Sequence, residues 1–134
     1  MIYHSIRFKV KPDVSDDQHE FCLEHLRKMG RMSPAVEIFC VGSDVGAEFT
    51  HGAMFAVKNI EAYEEYMMAP IHREMDDIGL PLAETMMSMD ITDDEDPNIR
   101  EKIRAVHQTR YAGDPELLKL VEDIPSYIGA GVQA

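Results

Sequence analysis

The stretch "YEEYMMAPIH", residues 63 to 72, sets two tyrosines and a histidine around the end of a short helical pattern. A histidine titrates near neutrality and can take a proton from carbon, and a tyrosine hydroxyl can donate to the oxyanion that results. Tyr66 and His72, on either side of Pro70, therefore have the side chains needed to remove a proton alpha to a carbonyl without metal or cofactor. His4, early in the chain, could orient the substrate or share the proton work. The same residues have a plainer use. A histidine after a helix-ending proline can cap carbonyls, and a helical tyrosine often fills a core with its hydroxyl at the edge. Residue types alone leave both uses open.

Other constellations carry less. "HEFCLEH" offers His19, Cys22 and His25 on one helix, but at 100° per residue His25 lies about 120° from His19, too far for one tetrahedral ion. The pairs Asp16-Asp17, Asp76-Asp77 and Asp93-Asp94 read as solvated turns. Cys22 and Cys40 fall in apolar patterns and read as two buried free thiols. Met67, Met68, Met75, Met86, Met87 and Met89 suit core filling or an adaptable pocket wall. The "VGSDVG" turn is a hairpin connection; no helix follows it as a dinucleotide site requires.

The elements that must position these residues can be read from periodicity. Ile2, His4, Ile6, Phe8 and Val10 alternate with Tyr3, Ser5, Arg7 and Lys9, the pattern of a half-buried strand with His4 on its apolar face. Ser15 and Gln18 form a capping box, so a helix starts near Asp16 and runs to about Met29, with Gly30 as its stop. A strand follows over 36–41, and another in "FTHGAMFAV". Asn59 caps a second helix that Pro70 ends or kinks. "IHREMDDIG" allows a further helical turn or two, and "ETMMSMDI" is the fourth strand.

The order β-α-β-β-α-β predicts an α+β, ferredoxin-like fold: one antiparallel sheet over residues 1–92 with two helices on one face. The bare face predicts a homodimer packed sheet to sheet. Residues 93–134 form a helical extension that straps onto this domain or its partner. Ile99, Ile103 and Val106 mark one amphipathic helix, "DPELLKLVEDIPSYI" a second, and "GAGVQA" a fraying end.

At 134 residues the chain is long enough for one well-packed domain. Its net charge of -12 disfavours nucleic acid and anionic membranes alike. The start "MIYHSIRFKV" lacks a signal-peptide core, which predicts a cytoplasmic protein.

Four stretches in this order, "YHSIRFK", "SPAVEIFCVGSD", "FTHGAMFAV" and "YEEYMMAPIHREM" running into "MDI", resemble the stress-responsive A/B barrel domain of the dimeric α/β-barrel superfamily. The resemblance spans residues 1–92. It implies a dimeric α/β barrel. Through a polyketide cyclase of that family, it also implies a cofactor-independent enzyme acting on a carbonyl-rich or aromatic small molecule. His72, Tyr66 and His4 match the catalytic positions. His51, Ile6, Phe8 and Leu26 are the implied substrate contacts. The cyclase's bulky aromatics fall here at Cys22, Leu23 and Leu26, which implies a differently shaped pocket. The resemblance equally admits a non-catalytic stress-responsive or small-ligand-binding barrel.

Overall fold

The computed structural model describes residues 1–130. Part of the "GAGVQA" expectation therefore lies outside the described residues. The chain forms β1 (Ile2–Val10), α1 (Asp16–Met32), β2 (Val36–Ser43), β3 (His51–Val57), α2 (Ile60–Met68), α3 (Pro70–Gly79), β4 (Ala83–Thr92), α4 (Ile99–Gly113), α5 (Pro115–Glu122) and β5 (Ser126–Ile128). This is the ferredoxin-like α+β fold. The sheet order is β2-β3-β1-β4-β5, antiparallel except for the parallel β4-β5 pair.

Local chemistry explains most boundaries. The reciprocal Ser15-Gln18 capping box opens α1, and the Asn59 side chain accepts from the Ala62 N–H to open α2. Gly30 does not stop α1. It sits inside the helix, where a Cβ would lie 2.4 Å from the Phe39 ring, so the missing side chain makes room for β2. Pro70 both ends α2 and starts α3, because a first-turn proline gives up no intrahelical bond. The turn or two expected after it is a ten-residue helix.

Alternation in β1 turns Ile2, His4 and Phe8 towards the helices, where Ile2 and Phe8 join the main core with Leu26, Phe55 and Tyr66 and His4 is buried beside them. The other sheet face carries no helix and exposes Tyr3, Ile38 and Ile91. Cys40 lies on that face too and is exposed, not buried; Val36, Phe39 and Val41 are the β2 residues that pack against the core. Cys22 is buried, and burial pushes its thiol up to about 11.

The tail folds back over the domain. Ile99, Ile103 and Val106 join the main core, while Leu117 and Val121 form a second cluster with Leu80 and Tyr111. The "SYI" segment, read as helix, is strand β5, paired in parallel with Thr85–Met87. Among the described residues, no helix is long and apolar enough to cross a membrane.

Candidate active site

β1 and β4 build the floor of the site. Their register sets His4 opposite Asp90, and alternation sends both side chains towards the helices. His4 Nδ1 lies 2.7 Å from Asp90 Oδ1, with both side chains buried. Burial would raise the Asp90 pKa, but His4 and His107 outweigh it and hold the carboxyl well below the usual range. An ionised carboxylate only accepts, so Nδ1 donates. Tyr63 donates to Asp90 Oδ2 at 3.0 Å, and its oxygen lies 2.7 Å from His107 Nε2 on α4. Burial and Asp90 raise the Tyr63 phenol, which stays protonated. The four groups satisfy one another across β1, β4, α2 and α4.

The proline break builds the roof. It swings the first turn of α3 back, so His72 lies against Tyr66 with ring centroids 4.8 Å apart. His72 Nδ1 lies 3.3 Å from the Tyr66 carbonyl oxygen; a carbonyl only accepts, so Nδ1 carries the proton. Nε2 is left with its lone pair, 3.8 Å from Asp76 Oδ1. Burial first, then the Arg110 charge, push the His72 pKa well below its ordinary value, so the ring is neutral at neutral pH. The Tyr66 hydroxyl is buried and meets no hydrogen-bond partner among the described residues. Burial raises its pKa well above the ordinary value and keeps it a donor. A neutral imidazole and a protonated phenol thus stand side by side, one able to accept a proton and the other able to donate a hydrogen bond.

A cavity of about 70 Å³ lies between floor and roof. His4, Tyr66 and His72 line it together, with Ile6, Phe8 and Leu26 as apolar wall. Met29, Met67, Met75 and Met86 also line it. His51 does not. It stands behind Phe8, ring centroids 6.1 Å apart, and meets His19 edge to face at 4.3 Å. Burial and then His19 lower its pKa. The rest of the "HEFCLEH" group diverges, with His25 Nε2 3.0 Å from Glu74 on α3 and Cys22 on the cavity wall.

Sequence reasoning missed Tyr63, Asp76, Asp90, His107 and Arg110 as site groups. Asp76 is not a solvated turn residue: its side chain on α3 is only 12% exposed and lies 2.5 Å from Arg110 Nη2, while its neighbour Asp77 is exposed and pairs with Arg73. Burial raises the Asp76 pKa despite Arg110. A signal for three of these residues was present. Asp90 has the parity of Met86 and Ser88 on a buried strand face, and His107 and Arg110 continue the Ile103 stripe at i+4 and i+7.

A mainly antiparallel sheet of this order with helices on one face defines the class as a ferredoxin-like α+β protein. The chain belongs to the stress-responsive A/B barrel domain family, whose model matches residues 2–93. No curated protein is significantly similar to it. Among solved structures it is similar to the hydroxynitrile lyase from Passiflora edulis, with TM-score 0.64 and 16% identity over 70% of this chain and 94% of that one. A Mesorhizobium loti protein of this family with a ferredoxin-like fold gives TM-score 0.62 and 18% identity over 68% and 94%. A dimeric ferredoxin-like protein of unknown function from Thermobifida fusca gives TM-score 0.62 and 20% identity over 68% and 89%. At these identities the likeness is one of fold.

Proposed function

We propose that the protein is a small cofactor-independent enzyme of the polyketide-cyclase type, which removes a proton alpha to a carbonyl of a carbonyl-rich or aromatic substrate. One observation carries this reading: the rings of a neutral His72 and of Tyr66 lie 4.8 Å apart at a single cavity, and the buried Tyr66 hydroxyl has no hydrogen-bond partner among the described residues. His72 Nε2 takes the proton from carbon, and the C–H electron pair becomes an enolate. Tyr66 donates to the enolate oxygen. The enolate carbon attacks a second carbonyl of the same molecule, and the imidazolium returns the proton to the new alkoxide. His4, its Nδ1 held by Asp90, presents a fixed ring edge for orienting the substrate.

The cavity holds several times the 10–15 Å³, roughly, that one water needs. That size favours a compact substrate over a long chain. The hydroxynitrile lyase among the structural neighbours supports lyase chemistry on this fold. The bare sheet face and the dimeric Thermobifida fusca neighbour support a homodimer joined through that face.

A second reading, a non-catalytic ligand-binding barrel, is favoured by the closed His4-Asp90-Tyr63-His107 network, which also serves simply to hold the tail on the sheet. Turnover separates the two. On a panel of short β-keto thioesters and hydroxynitriles, His72→Ala is expected to lower the rate by roughly 10²-fold or more, as loss of a general base does. Equal rates for wild type and a folded His72→Ala protein reject the catalytic reading.

A further inference from the structure

Helix α4 lies beyond the family match, yet it sets a cation in the cavity wall. Arg110 is 8% exposed and lines the cavity with His72 and Tyr66. A guanidinium offers five N–H donors in a planar fork. Among the described residues, the only side-chain hydrogen bond of Arg110 is Nη2 to Asp76 Oδ2 at 2.5 Å. The other oxygen of Asp76 points towards His72, 3.8 Å from its Nε2. One carboxylate thus stands between the base and the cation.

We propose that Arg110 is a further catalytic residue, binding with the Tyr66 hydroxyl the enolate oxygen formed when His72 takes the substrate's proton, while Asp76 receives the charge of the histidinium. This rests on the reading of His72 as the base. The charges balance at each stage. Before transfer, Arg110 and Asp76 neutralise each other, and His72 and the substrate are uncharged. Afterwards the imidazolium faces Asp76 and the enolate faces Arg110, so each new charge has an opposite neighbour. In a water-poor cavity such pairing is worth far more than at the surface.

Among the described residues, Arg110 is the one Arg or Lys side chain that lines the cavity, and its charge is permanent. The Arg110 charge adds to burial in keeping His72 neutral, and on the Tyr66 phenol it opposes part of the rise that burial and Asp76 impose. The second tie between α3 and the tail, Arg73 to Asp114 at 2.6 Å, helps hold α4 in place.

Phenolates mimic an enolate oxygen, so binding can be read without turnover. The full-length protein is titrated with 4-nitrophenol, and its absorbance reports how much of the bound phenol is ionised. Wild type is expected to prefer the phenolate. Arg110→Gln should lose roughly tenfold or more of that preference, as loss of a hydrogen bond to a charged group does, and Arg110→Lys should retain part of it. Because Arg110→Gln strands a buried carboxylate, the Asp76→Asn, Arg110→Gln double variant supplies an uncharged pair of similar shape. An undiminished phenolate preference in that folded double variant overturns the proposal. So does a wild type that shows no phenolate preference or no phenol binding. Either failure is distinct from failure of the His72 reading, which turnover of His72→Ala decides.

Discussion

His72 is neutral because burial and Arg110 oppose its charge, and that gives its pH dependence a definite sign. Its folded pKa lies below the unfolded value of about 6.5, so the unfolded chain binds more protons between the two. The group's contribution is therefore present in full above about pH 6.5 and is lost as pH falls towards the folded pKa. His72→Gln keeps a similar shape but removes this titration. The drop in Tm between about pH 7.5 and pH 5.5 should be smaller in His72→Gln than in wild type; equal drops would place the acid sensitivity elsewhere. Asp76 acts with the opposite sign, since its raised folded pKa makes its contribution fall as pH rises above the usual carboxylate value.

At the scale of elements, the contact between α1 and β2 sets two effects against each other at Gly30. Replacing a glycine in the last turn of a helix by alanine gains at most about 1 kcal/mol in helix propensity. The new methyl would stand 2.4 Å from the Phe39 ring, too close for any real contact, and overpacking of this kind costs about 1–3 kcal/mol. The ring is half-buried and packs against the main core on its other side, which limits how far it can retreat. Gly30→Ala is expected to lower the midpoint of urea unfolding, and Phe39→Leu in the same chain should recover part of the loss. A midpoint at or above wild type would show that propensity wins.

For the whole molecule, the question is what covers the helix-free sheet face. Ile38 and Ile91 are each 60% exposed there, and Tyr3 is 38% exposed. A contiguous apolar face of that kind favours association, and a second copy of the same face is self-complementary under a two-fold axis. Light scattering should find the mass of two chains at micromolar concentration. Ile91→Lys should shift the protein to monomer with its secondary structure intact. A wild type that is already a stable monomer would end the idea.

What was legible in the sequence is what local energies decide. Alternation along β1, the capping box at Ser15 and the cap at Asn59 act within a pleat or a turn, so the β-α-β-β-α-β order and the ferredoxin-like fold followed from them. Local signals misled where a distant partner outweighed them. Gly30 carries a stop signal but yields to the ring of Phe39, and "SYI" has no strand partner nearby in sequence, only the open edge of β4. His4, Tyr66 and His72 could be named through the family resemblance, while types and spacing left their role open. The groups that govern them lie far along the chain: Asp90 is 86 residues from His4, and Arg110 is 34 from Asp76. Which cation meets a buried carboxylate is set by sheet register and by how α4 docks. Those are minima of the whole chain, and only the tertiary structure decides them.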